Sequence, residues 1–251
     1  MQQSELILNQ DGSVYHLGLQ KDEIARDIIL TGDPDRVKLI SSMFDSIEMK
    51  KERREFITHT GWIGKKRITA ISTGIGTDNI DIVLNELDIL VNFDSNTRRK
   101  LNERTRLNLI RLGTSGGINR SVDVGEIVLG VSAVGLDNLV NYYSGDDVFT
   151  DLELNEFFQE NLPDIPLPYI ASADENLVLT FNRIARKGLT LTAPGFYGPQ
   201  GRNVVVESKY PDIFRILEEC RHLGYSLLNL EMESSALYAL SQLMGHRAVT
   251  I

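Results

Sequence analysis

Cysteine is scarce in this sequence, and its 26 Lys and Arg are outnumbered by 35 Asp and Glu. Cys220 is the one cysteine among 251 residues, so no intrachain disulfide forms. It falls at helical spacing from Ile213 and Leu217 and reads as a buried core thiol. The four histidines, His16, His59, His222 and His246, lack the spacing of zinc ligands, and no metal site is expected from them. The formal net charge is −9, which argues against a nucleic-acid surface, because phosphate backbones are held by basic patches. No apolar run reaches the roughly 18 residues of a membrane span. The first residues also lack a basic stretch leading into a long apolar one, so no membrane partner is expected and the cytoplasm is the default location. A Pro/Ser/Gly-rich linker, a low-complexity tract and an internal repeat are likewise missing, so one domain is expected over 1–251.

What is present is a series of apolar runs, each followed by a small-residue or polar loop. Leu107 to Ile118 reads LNLIRLGTSGGI. Leu107, Leu109, Ile110 and Leu112 suit a short strand buried on both faces, and Arg111 is a fixed cation inside it. A buried guanidinium is costly unless paired, so Arg111 is expected to meet a carboxylate or an anionic ligand. The following Gly113-Thr114-Ser115-Gly116-Gly117 offers N–H and hydroxyl donors suited to phosphate. A structural Arg–carboxylate pair beside an ordinary turn is the alternative on these residues alone.

Upstream, Ile28-Ile29-Leu30 runs into Thr31-Gly32-Asp33-Pro34-Asp35-Arg36. That order predicts a strand, a glycine turn and a helix start, with Asp33 as N-cap and Pro34 at the first helical position. Arg36 in the first turn opposes the helix dipole unless an anion binds there too. Strands are expected at 47–50, 56–60 and 67–72, with Gly61-Trp62-Ile63-Gly64 closing a hairpin between the last two. Ser72-Thr73-Gly74-Ile75-Gly76-Thr77 then leads into a helix over about 78–91, where Ile82, Val83, Leu87 and Leu90 recur at helical spacing. Gly74 and Gly76 supply half a dinucleotide fingerprint, but Asn79 stands in place of the third glycine, so a nicotinamide cofactor is not expected.

Beyond a polar insert at 94–106, strands are expected at 126–131, 169–173 and 189–192, and helices at 152–160 and 176–186. Ala193 to Arg202 is a loop dense in glycine and proline that also carries Phe196, Tyr197, Gln200 and Arg202, a mix suited to a ligand. A helix at 211–223 and a strand at 226–230 precede Glu231-Met232-Glu233-Ser234, which opens a helix with Leu237, Leu240 and Leu243 on its apolar face. Two acids in a first turn either complement the dipole or serve a ligand. Ala248 to Ile251 reads as one more core strand. Strands alternating with helices, plus one hairpin, predict an α/β domain with a mixed, mostly parallel sheet whose loops gather at one edge, where such folds bind ligands.

Taken in order, these blocks resemble the nucleoside phosphorylase family of the uridine phosphorylase type. The resemblance runs over nearly the whole chain: Tyr15-His16-Leu17-Gly18-Leu19, Gly32-Asp33-Pro34-Asp35-Arg36, Arg54-Glu55-Phe56, Ser72-Thr73-Gly74-Ile75-Gly76, Arg111 to Gly116, Phe196-Tyr197 with Gln200 and Arg202, and Glu231-Met232-Glu233. It implies a three-layer α/β/α sandwich and reversible phosphorolysis of a pyrimidine nucleoside, uridine and phosphate giving uracil and ribose 1-phosphate. Inorganic phosphate is then a co-substrate, and no cofactor is implied. Gly32, Arg36, Arg111 and Thr114 would hold phosphate, with Arg54 and His16 reaching in from a neighbouring subunit. Met232 and Glu233, with Thr114, would hold the ribose and His16 its 5′-hydroxyl, while Phe196, Gln200 and Arg202 would hold the base. Arg111, Arg202 and Glu233 would carry the catalysis.

Such crossing implies at least a homodimer, and several relatives are hexamers built from dimers. Asn79 stands where many relatives have a small hydroxyl residue beside an interface potassium held with Glu55. Relatives also continue past the position of Ile251 into a loop over the base and a final helix, which are expected to be absent from 1–251. Purine types carry a catalytic Asp in that loop and pyrimidine types often an Arg. A purine nucleoside phosphorylase or a hydrolytic nucleosidase of the same superfamily is the alternative, and a nucleoside-binding protein without catalysis is the alternative from another class.

Overall fold

A computed structural model describes residues 4–251; the first three residues of the 1–251 expectation lie outside it. The chain forms two compact units interleaved in sequence. The first takes the chain up to Ile75, then Asn79–Leu112 and Met244–His246; the second takes Gly76–Asp78, Gly113–Leu243 and Arg247–Ile251.

The first unit contains β1 (Asp27–Thr31), α1 (Pro34–Ser41), β2 (Ser46–Arg53), β3 (Phe56–Ile63), β4 (Lys66–Ser72), most of α2 (Thr77–Asn92), the short hairpin of β5 (Phe93–Asp94) and β6 (Arg99–Lys100), and β7 (Asn108–Arg111). Its strands run β7-β1-β4-β3-β2. β1 is parallel to both neighbours and buries Ile28 and Leu30 fully, which is why it reads as an unbroken apolar run. Leu30 stands level with Ile71 and Arg111, and Thr31 with Ser72, so the turns after β1, β4 and β7 leave one edge of this sheet. That gathering is what the strand–loop pattern predicts.

Asp33 caps α1 by accepting the Asp35 N–H at 2.9 Å, and Pro34 opens the helix as expected. α1 lays Val37 and Ile40 against Phe44, Ile57 and Ala70. α2 buries Ile80, Val83, Leu84, Leu87, Leu90 and Val91, a stripe at helical spacing in which each side chain contributes roughly 1.5–3 kcal/mol. The hairpin expected at Gly61 to Gly64 closes later, between Ile63 and Lys66. Gly61 lies inside β3, where a Cβ would come within 2.2 Å of the Ser46 carbonyl, so the glycine serves a close approach and not the turn.

The second unit contains β8 (Gly116–Gly117), β9 (Val128–Gly135), α3 (Leu152–Asn161), β10 (Tyr169–Ser172), α4 (Glu175–Phe181), β11 (Arg186–Thr192), α5 (Ile213–Leu217), β12 (Arg221–His222), β13 (Tyr225–Glu231), most of α6 (Ser234–Met244) and β14 (Arg247–Thr250). The strands run β12-β13-β11-β9-β14, with β11 parallel to both neighbours and antiparallel partners at the margins. Its core joins Val134, Leu189, Leu191, Leu227 and Leu230 to Leu154, Phe158 and Leu217, and includes Cys220 as expected. Burial pushes that thiol up to about 11, so it stays protonated.

Two helices are shorter than the pattern suggests. The one expected over 176–186 ends at Phe181, because Arg186 already pairs with Val128 as the first residue of β11. The one expected over 211–223 stops at Leu217, because Arg221 and His222 turn back on Ser226 and Tyr225. Leu223 and Gly224, with φ of 47° and 78°, make the two-residue turn that such a hairpin requires.

Candidate active site

In the first unit two of the expected phosphate residues, Gly32 and Arg36, lie beside the turn after β4. A Cβ at Gly32 would sit 3.3 Å from the Gly74 carbonyl oxygen and 3.6 Å from Arg36 Nη2, so the turn after β1 backs onto the turn after β4 beside the Arg36 guanidinium. Arg36 Nη1 donates to the Leu112 carbonyl at 3.0 Å, which ties that cation to the end of β7, next to Arg111 in the chain. Arg111 is buried, 3 % exposed. Arg54 is exposed on the β2–β3 turn with a φ of 55°, and its guanidinium lies 5.7 Å from the centre of the Tyr15 ring. A non-glycine residue in that region is strained and uncommon.

His16 is held by an acid. Its backbone N–H and its Nδ1 both meet Glu86 Oε1 at 2.7 Å, and the Leu17 N–H meets Oε2 at 2.7 Å. A carboxylate only accepts, so Nδ1 is the ring nitrogen that carries a proton toward Glu86. Glu86 is a residue that motif reading passes over. Its signal was available: an acid buried on the apolar face of α2, among Val83, Leu87 and Leu90, needs a partner.

In the second unit the acidic pair is built from a strand end and a helix start. Glu231 is the last residue of β13, and Glu233 immediately precedes α6, so neither lies inside the first helical turn as expected. The Glu231 carboxylate accepts the N–H of Glu233 at 2.9 Å and of Ser234 at 3.0 Å, which caps α6. It also accepts the Thr192 hydroxyl at 2.8 Å. Glu233, 4 % exposed, accepts the Gly76 N–H at 2.8 Å. Gly76 has a φ of 97°, a backbone conformation open to glycine, and this is its use in place of a dinucleotide turn. Met232 between the acids is half-buried. The Thr114 loop is fixed nearby in the same unit: Gly116 pairs with Leu230, and the Ser115 hydroxyl accepts from the Asn229 amide at 2.8 Å. Thr114 itself is exposed.

The loop after β11 brings Phe196, Gln200 and Arg202 together. The Arg202 guanidinium lies 3.9 Å from the Phe196 ring centre, and its Nη1 donates to the Phe196 carbonyl and to Gln200 Oε1. Gln200 is buried whereas Phe196 is 52 % exposed. Because the guanidinium can only donate, it fixes which end of the Gln200 amide is oxygen and which is NH2. Among the described residues no group of three or more His, Cys, Asp or Glu could hold a metal ion, and no helix is long and apolar enough to cross a membrane. Near Glu55, the Asn79 amide nitrogen faces Gly74 and donates to the Ile75 carbonyl at 3.3 Å.

Comparison with known proteins gives a consistent answer. The family model described as "Phosphorylase superfamily" matches residues 26–251. The chain is 27 % identical over 247 residues to a uridine phosphorylase of Thermococcus kodakarensis, covering 95 % of this chain and 76 % of that one. It is 28 % identical over 237 residues to a DeoD-type purine nucleoside phosphorylase of Listeria welshimeri, covering 94 % and 84 %. The solved structure of a Trypanosoma brucei nucleoside phosphorylase, titled as showing uridine phosphorylase activity, superposes with a TM-score of 0.87 at 30 % identity, covering 98 % of this chain and 88 % of that one. The α/β fold with its mixed sheet is thus the fold of that neighbour, and the chain belongs to the phosphorylase superfamily.

Proposed function

We propose that this chain, a pentosyltransferase by family, catalyses reversible phosphorolysis of a pyrimidine nucleoside: uridine and inorganic phosphate give uracil and ribose 1-phosphate. The observation that carries the pyrimidine is the Gln200–Arg202 pair. With Oε1 facing a guanidinium, the amide has a set polarity: Oε1 accepts the N3–H of uracil with its second lone pair, and Nε2 donates to O4. Cytosine presents the reverse pattern at both positions and leaves two like groups facing each other.

The roles follow from charge. A phosphate oxygen attacks C1′ as the C1′–N1 bond breaks, and the electron pair of that bond passes into the base. A guanidinium has five N–H donors, more than Arg202 spends on its two loop contacts, so Arg202 stabilises the charge that develops at O2. Phosphate meets an oxocarbenium-like sugar from the other side, held by Gly32, Arg36, Arg111 and Thr114. Glu233 accepts hydrogen bonds from the ribose hydroxyls, and Met232 gives the sugar an adaptable apolar surface. No step uses a metal, and little is required of a protein general acid.

In this reading residues 1–251 act as one domain, because neither compact unit is continuous in sequence. His16 and Arg54 serve a neighbouring subunit in at least a homodimer, a role that suits an exposed arginine held on a strained turn. The cytoplasm is the proposed compartment. A purine substrate is the second reading, carried by the similarity to the purine nucleoside phosphorylase.

The test is release of free base from uridine, cytidine and inosine, with and without phosphate. Phosphate-dependent loss of uridine exceeding that of inosine and cytidine is expected. Release without phosphate, preference for inosine, or binding without turnover would each overturn the reading.

A further inference from the structure

β9, β11 and β13 end level, with Gly135, Thr192 and Glu231 in register, so the residues just beyond them lie close together. Asp137, two residues past β9 and only partly exposed, gathers three donors there. The Leu139 N–H reaches its Oδ1 at 3.0 Å, the Ser235 hydroxyl its Oδ2 at 2.8 Å, and the Tyr169 hydroxyl both oxygens at 3.0 Å. The backbone N–H of Ser235 donates to Thr192 Oγ1 at 2.9 Å. Thr192 has one hydroxyl proton, and it goes to Glu231 Oε1 at 2.8 Å. Glu231 in turn holds the N–H groups of Glu233 and Ser234. A continuous hydrogen-bonded path therefore leads from Asp137 through Ser235, Thr192 and Glu231 to the backbone that presents Glu233.

We propose that Asp137 is a positioning residue for the ribose-binding carboxylate: it anchors Ser235 and Tyr169 so that Thr192 and Glu231 fix Glu233 in place. The inference rests on the role of Glu233 proposed above. Burying a carboxylate costs stability, and burial raises the Asp137 carboxyl above its ordinary value, so packing alone would be served better by an apolar side chain. An ionised Asp is acceptor-only and suits three donors. Asn in its place would turn an NH2 towards one of them.

Because Asp137 acts through Glu233, its loss is read at the ribose hydroxyls. The experiment measures kcat/KM for uridine and for 2′-deoxyuridine, together with the KM for phosphate, in the unaltered protein and in Asp137→Asn. Ser235→Ala, which removes the same link with a smaller perturbation, decides the matter if Asp137→Asn does not fold. The expected result is a roughly 10-fold loss with uridine, a clearly smaller loss with 2′-deoxyuridine, and an unchanged KM for phosphate. Equal losses with both nucleosides, or a matching rise in the KM for phosphate, would show a purely structural role and overturn the inference. No phosphate-dependent cleavage by the unaltered protein would instead overturn the functional reading, and this inference with it.

Discussion

Two parts of the second unit that the proposed function gives to the nucleoside are built in opposite ways. The Glu231–Ser234 turn is buried, and hydrogen bonds from Thr192, Gly76, Glu233 and Ser234 hold its carboxylates. The Phe196–Arg202 loop has Phe196 and Tyr197 at 52 % and 60 % exposed, and much of its bracing comes from within: the Arg202–Phe196 stack and the Arg202–Gln200 pair. On the proposed assignment the difference separates what every nucleoside shares from what distinguishes one from another. A ribose needs carboxylates in one fixed place, which the end of a sheet supplies. A base is selected by a few polar groups, and a self-braced surface loop can vary these without disturbing the core.

The contrast can be broken by substitution, and the largest effect is expected in the loop. Arg202→Ala should lower kcat with uridine by roughly 10²–10³-fold, as loss of comparable transition-state donors does, while the melting temperature stays close to that of the unaltered protein. A matching fall in melting temperature would show that the loop is structural. Next, Glu231→Gln should do the reverse in kind. It replaces a charged acceptor of three donors, so it should destabilise the fold by about 1.5–3 kcal/mol, read by denaturant unfolding, and weaken uridine and cytidine turnover in equal proportion. A change in base preference would contradict the division of roles.

Gln200→Leu tests selection itself. Uridine should lose about 10-fold in kcat/KM and cytidine much less, so that the ratio between them narrows. Phe196→Ala should be milder still, a few-fold rise in the nucleoside KM, since the ring is half in solvent.

The smallest effect is expected in the first unit. Burial pushes the Asp88 carboxyl up, but the His246 ring 3.2 Å away, the hydrogen bond from Asn92 and the charge of Arg104 outweigh it, and the group sits below its ordinary value of 3.8. A lowered folded-state value means that the stabilisation is present above 3.8 and lost as pH falls through the folded value. Asp88→Asn should therefore flatten the acid limb of a stability–pH curve there and leave base selection untouched.

How much of this was legible in the sequence follows the same physical line. β1 and its capped helix were readable because Ile28 to Arg36 carries its own signals: an apolar run, a glycine turn, an N-cap and a proline. The loop at Phe196 to Arg202 was readable from its composition, and the Arg202–Gln200 contact is local, two residues apart. Long-range partners were not readable. Nothing near Glu233 in the chain announces Gly76, 157 positions away, and nothing near His16 announces Glu86, 70 away. The helix ends at Phe181 and Leu217 were missed for a related reason: strand pairing at Arg186 and Arg221 overrode a helical pattern that continued past them.

The central claim is that phosphate itself is the nucleophile. Phosphorus NMR of the protein incubated with uridine and inorganic phosphate tests it most directly. A ribose 1-phosphate signal that grows as the phosphate signal shrinks, in step with released uracil, is the expected result. Uracil released alongside free ribose, with the phosphate signal unchanged, would contradict it.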